Sequence, residues 1–136
     1  MEKGKSVIQH VDPCKMRILL CDNNAESCQE ILALLRKFSY QVDAVWSATE
    51  VFETMDSRGA SAHIILAEID LLMEDDAYLL RHIMRDKRLQ KIPVIILTRQ
   101  DQVCVTMKGL RLGAAGYLVK PLQNEELSNL WMILQN

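Results

Sequence analysis

Two hydrophobic periods alternate along the chain. Five short apolar runs, RILLC (17–21), QVDAV (41–45), HIILAEI (63–69), PVIILT (93–98) and AGYLV (115–119), have strand length and are rich in aliphatic and β-branched residues. Between them apolar residues recur every three or four positions. Cys28, Ile31, Leu32, Leu35 and Phe38 line one face of a helix over about 24–38. Ser47-Ala-Thr-Glu50 matches a capping box, in which hydroxyl and carboxylate satisfy free backbone N–H groups, and predicts a helix over 47–55. A third helix is predicted over about 76–87, with Leu79, Leu80, Ile83 and Met84 inward. A fourth, over about 101–112, stops before Gly113, a residue suited to a left-handed cap. The last, over about 124–135, opens with Glu125 and Glu126, whose charges suit the positive end of the helix dipole. Residues 1–15 show no period and read as a loose arm ahead of one domain at 16–136.

Strands that alternate with helices form a parallel sheet covered on both faces, because parallel strands need crossover connections of one hand. The fold class is α/β. Strands three to five are almost continuously apolar and fit the sheet interior, whereas the mixed QVDAV fits an edge, which gives a flavodoxin-like order 2-1-3-4-5. Ligands of such sheets sit outside the carboxyl ends of the strands, so chemistry is expected where each strand stops.

Composition narrows the function. At 136 residues the chain has room for one core, and 49% hydrophobic with 25% charged residues is ordinary globular usage. Eighteen acidic residues against 16 Lys plus Arg leave a formal charge of -2, with no broad positive field for nucleic acid or anionic lipid. No run reaches the roughly 18 apolar residues of a membrane span, and the arm lacks the apolar core of a secretory signal, so the protein reads as intracellular. Its four cysteines form no CxxC pair and read as structural thiols. The five glycines form neither GxGxxG nor a P-loop, and His63 and His82 fall in no metal-binding spacing, so no cofactor is expected. The basic group Arg81, Arg85, Lys87, Arg88 and Lys91 reads as a solvated helix end.

The strand ends themselves carry a coherent set. Asp22 and Asn23 follow strand one, Glu68 and Asp70 close strand three, Thr98 ends strand four, and Lys120-Pro121 follows strand five. Carboxylates hold Mg²⁺, a strand-three carboxylate can accept a phosphoryl group, and hydroxyl plus ammonium bind its oxygens.

With these residues in this order the sequence resembles receiver domains of two-component signalling over about 16–135. RILLCDN is similar to the first strand with its acidic pair, IILAEIDLLM to the phosphoacceptor strand, IPVIILT to the Thr-bearing strand, and GAAGYLVKP to the Lys-Pro strand with its switch aromatic. The resemblance implies a metal-binding acid at Asp22, the phosphoacceptor position at Glu68, the switch hydroxyl at Thr98, the switch aromatic at Tyr117, the site lysine at Lys120, and a cis Lys120–Pro121 bond. The departures matter. Receivers have Asp where Glu68 stands, and one extra methylene displaces the carboxylate by about 1.5 Å. Asn23 replaces a second acid, so Asp22 is only a weak metal candidate and no metal is expected. Leu72 and Asp76 stand where the following loop has Pro and Gly. Asp70, on an extended strand, would lie roughly 6.6 Å beyond Glu68 on the same face.

A Glu acceptor position, together with LLRKFSYQVDAV, RDKRLQKIPVIILTRQD and GAAGYLVKPLQNEELSNLW, resembles the pseudo-response regulators of the plant circadian clock, most nearly their timing-of-CAB-expression branch. That resemblance implies a nuclear transcriptional regulator whose pseudoreceiver pairs with related pseudoreceivers or with itself and meets other clock or transcription proteins. DNA contact would belong to a separate basic CCT segment, which this chain does not contain, and neither catalysis nor membrane contact is implied. Glu68 is expected to pair with Lys120. The pairing face is expected around Lys108, Arg111, Tyr117, Glu125 and Trp131. Two other readings stay open: an active Mg²⁺-dependent phosphoreceiver using Asp70, and a flavodoxin-like cofactor binder, for which only the fold speaks.

Overall fold

The computed structural model describes residues 15–58, 62–130 and 132. Five strands, β1 (Arg17–Cys21), β2 (Gln41–Val45), β3 (Ile64–Glu68), β4 (Val94–Thr98) and β5 (Gly116–Val119), pair in parallel in the order β2-β1-β3-β4-β5. Helices α1 (Ala25–Lys37), α2 (Ala48–Arg58), α3 (Ile69–Arg85), α4 (Val103–Arg111) and α5 (Asn124–Ser128) make the connections. Fold class and strand order are as the hydrophobic pattern implies.

Period-two alternation along the strands divides the core between the two faces of the sheet. Ile18, Leu20, Ile64, Leu66, Ile95 and Leu97 pack with Cys28, Ile31 and Leu35 of α1 and Leu127 of α5. Leu19, Cys21, Ile65, Ala67 and Ile96 pack with Val51 and Met55 of α2 and Leu79, Leu80 and Ile83 of α3. The Tyr40 hydroxyl donates to the carbonyls of Leu127 (2.8 Å) and Ser128 (3.1 Å), pinning α5 to the end of α1. Ser47 Oγ accepts from Glu50 N–H at 3.2 Å, and the Glu50 carboxylate reaches Trp46 N–H rather than that of Ser47. None of the described helices is long and apolar enough to cross a membrane.

Several boundaries correct the sequence reading. β5 is an edge strand, not interior: it pairs only with β4, and none of its four residues is fully buried. α2 extends to Arg58, and α5 closes at Ser128. The expected arm lies outside the described residues except for Lys15, as does Trp131. The largest difference follows Glu68. HIILAEI is not one strand, because β3 ends at Glu68 and the chain turns at once into helix. A proline at 72 would disfavour helical backbone at the residue before it, and Leu72 imposes no such limit. After one turn the helix breaks. Glu74 is extended, Asp75, Asp76 and Ala77 take left-handed φ values of 52°, 57° and 60°, and regular α3 resumes from Tyr78. Left-handed backbone costs about 1–2 kcal/mol per ordinary residue, least for Asp. The break is held by Arg81, whose Nε donates to the Asp76 carbonyl at 2.8 Å, and by burial of Ala77.

Gly113 ends α4 at φ 124°, and a Cβ built there would stand 2.6 Å from Met84 Sδ on α3. Gly113→Ala is therefore expected to lower stability by about 1–3 kcal/mol, read as a lower urea midpoint at unchanged m value.

Candidate functional site

Strand register brings the polar strand ends to one end of the sheet. Cys21 pairs with Ala67, Glu68 with Leu97, and Thr98 with Val119, so Asp22 and Glu68 emerge level with each other, and Arg99 and Lys120 follow two residues further along on the neighbouring strands.

Asp22 is fully buried and fully engaged. Its Oδ1 accepts from Asn24 N–H at 3.0 Å, and its Oδ2 accepts from Ser27 Oγ at 2.8 Å and from Lys120 Nζ at 3.4 Å. Lys120 Nζ also donates to Ser27 Oγ at 2.7 Å, and the Lys120–Pro121 bond is cis, as the receiver resemblance implies. Asn23 is exposed; its neighbour Asn24 caps α1, accepting from Ser27 N–H at 3.0 Å.

Glu68 is 3% exposed, and its carboxylate folds back on its own chain. Oε2 accepts from Asp70 N–H at 2.6 Å, making Glu68 the cap of the turn that follows. Oε1 faces Arg99 Nη1 at 3.5 Å. The expected Glu68–Lys120 pair is therefore not the arrangement found: Lys120 is taken by Asp22 and Ser27, and Glu68 by a backbone N–H and Arg99. Asp70 is not extended strand either. It sits in the first turn of α3, where it meets Arg99 Nη2 at 3.6 Å and accepts from Gln102 Nε2 at 3.0 Å.

Thr98 is buried, and its Oγ1 shares a 2.8 Å hydrogen bond with Thr106 Oγ1 of α4. Tyr117, 51% exposed, points out of β5 beside an apolar hollow of about 230 Å³ that Val103, Met107 and Val119 help to line. Val103 and Met107 are themselves exposed. Lys108, Arg111 and Glu125 are exposed around this face, and Lys108 Nζ lies 3.6 Å from Asp76 Oδ1. A separate open cleft over the strand ends is lined by Asn24, Ser27, Arg99, Lys120 and Pro121 among others.

Sequence reasoning missed Ser27, Arg99, Gln102 and Thr106. Arg99 was within reach, since it directly follows Thr98; carrying the strand-end rule one residue further finds it. Ser27 and Thr106 lie a turn inside helices and left no local signal.

A response regulator receiver domain family model matches residues 18–131. The chain belongs to the response-regulator receiver family. Two-component response regulator-like APRR1 of Arabidopsis thaliana is 53% identical over 121 residues, 89% of this chain and 20% of that protein. Two-component response regulator-like PRR1 of rice is 46% identical over 90% of this chain and 24% of its own length. These plant proteins agree with the pseudo-response regulator resemblance, and the chain spans only about a fifth to a quarter of their length. Among solved structures, a response regulator from Chloroflexus aurantiacus superposes with a TM-score of 0.79 at 21% identity, covering 90% of this chain and 99% of that one. The chemotaxis response regulator CheY4 of Vibrio cholerae superposes at 0.73 and 18% identity, covering 88% of this chain and 98% of that one. Both likenesses are of fold.

The receiver family implies a Mg²⁺ ion among these side chains, and the residues present do not fit one. Both Asp22 oxygens and both Glu68 oxygens are already committed to protein donors, two of them cationic, and Asn23 offers only a neutral, exposed amide. Among the described residues no group of three or more His, Cys, Asp or Glu is placed to hold a metal.

Burial raises the Glu68 carboxyl above its ordinary value; the Asp70 N–H opposes this, and the Asp70 charge adds to it. An acid whose folded value is raised binds its proton more tightly in the folded state, so stability falls as pH rises from the unfolded value toward the folded one. The stability of wild type minus that of Glu68→Gln is thus expected to decline as pH rises from about 4 and to level off above the raised value, measured by urea unfolding at stepped pH.

Proposed function

We propose that this domain is a non-phosphorylated pseudoreceiver that serves as a protein–protein interaction module of a nuclear transcriptional regulator in circadian clock control. The observation that carries the reading is the engagement of Glu68. A phosphoacceptor needs a carboxylate oxygen free for in-line attack, and placement errors near 1 Å cost about a hundredfold in rate. Here one oxygen caps Asp70 N–H and the other faces Arg99, on a side chain a methylene longer than Asp. The plant relatives, named as two-component response regulator-like, support a regulator of that family, and the clock assignment follows from the pseudo-response regulator resemblance.

The module's surface is the face of α4, β5 and α5. Exposed Val103, Met107 and Tyr117 supply an apolar centre, and Lys108, Arg111 and Glu125 a charged rim of both signs. A second copy, which carries the same mixed rim, or a related pseudoreceiver is the partner this pattern fits best, with other clock or transcription proteins as further partners. A net charge of -2 gives this domain no field of its own for nucleic acid.

Incubation with acetyl phosphate and Mg²⁺, followed by intact mass, is expected to leave the mass unchanged, while sedimentation shows concentration-dependent association. Met107→Asp is expected to weaken that association by about tenfold or more, equivalent to about 1.4 kcal/mol. A stoichiometric phosphoryl adduct, on Asp70 or on Glu68, would overturn the reading in favour of an active switch.

A further inference from the structure

We propose that Arg99 is the site's own cation: its guanidinium takes the carboxylate-lined position that a divalent ion would otherwise occupy, and so renders the domain indifferent to metal. The geometry behind this is a three-point grip. Nη1 faces Glu68 Oε1 at 3.5 Å, Nη2 faces Asp70 Oδ2 at 3.6 Å, and Nε faces Asp101 Oδ1 at 3.8 Å. Three nitrogens on one planar group thus meet acids from the end of β3, the first turn of α3 and the start of the β4–α4 connection.

The backbone of Arg99 is held as well. Its N–H donates to Gln102 Oε1 at 3.2 Å, and Gln102 Nε2 donates to Asp70 Oδ1 at 3.0 Å. Arg99, Gln102 and Asp70 therefore close a ring beside Glu68. The only other cation at this level, among the described residues, is Lys120, which Asp22 and Ser27 already engage. Without Arg99, buried Glu68 and neighbouring Asp70 would be left with only the more distant charge of Lys120, which Asp22 and Ser27 already engage, and acids so placed draw in a hard cation. With it, an entering divalent ion meets a like charge and finds the carboxylate oxygens taken. Guanidinium never deprotonates in this setting, so its positive charge is present whatever the pH and without metal.

The inference rests on the proposed function in treating the site as closed to phosphoryl transfer, and it adds what closes it. Arg99 is half-exposed, so it can be replaced without opening the core. The test is Mn²⁺ titration followed by amide NMR, where a bound paramagnetic ion erases nearby signals at about 1 mM, the affinity range of weak carboxylate sites. Wild type is expected to keep the amide signals of Asp22, Glu68 and Asp70. Arg99→Gln, whose metal-free spectrum reports that it is folded, is expected to lose those of Glu68 and Asp70, the acids that Arg99 holds, and Arg99→Lys, which keeps the charge, to retain them. Three results would each overturn the proposal: loss of these signals in wild type, their persistence in Arg99→Gln, or equal loss in the Lys and Gln variants. A wild type that binds Mn²⁺ yet stays unlabelled by acetyl phosphate would remove this inference and leave the proposed function standing.

Discussion

Two carboxylates with almost no access to water lie at the mouth of a parallel sheet, and the surrounding structure is arranged around compensating them. Asp22 is 0% and Glu68 3% exposed, on adjacent strands whose register places them next to each other. An uncompensated buried ion costs several kcal/mol, and two like charges side by side cost more. Each acid has its own donors: a lysine, a serine hydroxyl and a backbone N–H for Asp22, an arginine and a backbone N–H for Glu68. Those donors come from the start of α1, the ends of β4 and β5, and the turn after β3. The charge pairing therefore ties together segments that the hydrophobic core reaches only from below.

Glu68 accepts from the N–H two residues on, as a helix cap does, and the chain beyond enters helix immediately. Leu72 permits that turn. Its cost appears three residues later, where Asp75, Asp76 and Ala77 must run left-handed before α3 can resume its course against the sheet. Asp76 stands where receiver domains have Gly, and aspartate is among the few residues that tolerate such backbone. It also uses the exposed geometry, with Arg81 and Lys108 each 3.6 Å from its Oδ1, so the loop after Glu68 is joined electrostatically to α4.

The strands, their order and the residues at their ends were legible because they depend on local pattern: a run of aliphatics bounded by polar punctuation, repeated five times. Asp22, Glu68, Thr98 and Lys120 were found by that rule, and the fold brings their strand ends together. What was not legible depends on choices that no local signal records. IIL-AE-IDLLM can continue as strand or begin as helix, and the tertiary position of Glu68 decides it. Which cation answers which acid also follows from strand register, so Lys120 was matched to the wrong partner while Arg99, outside the strand by one residue, was overlooked. β5 was misjudged for a different reason. Its apolar composition suits burial, yet the edge of the sheet leaves Tyr117 facing water, which is what an interaction surface needs.

A switch requires two arrangements within a few kcal/mol of each other, so that a ligand can tip the balance. The groups that a phosphoryl signal would have to move are here satisfied without one: the Thr98 hydroxyl is bonded to Thr106, Glu68 is held at both oxygens, and Tyr117 already stands outside the hollow beside it. Moving Thr98 or Glu68 would break a buried hydrogen bond or expose an unpaired charge. For the docking role proposed above, the consequence is thermodynamic. In that role a face held in one state would lose no affinity to an unpopulated binding-competent form, and pairing would follow how much of each partner is present.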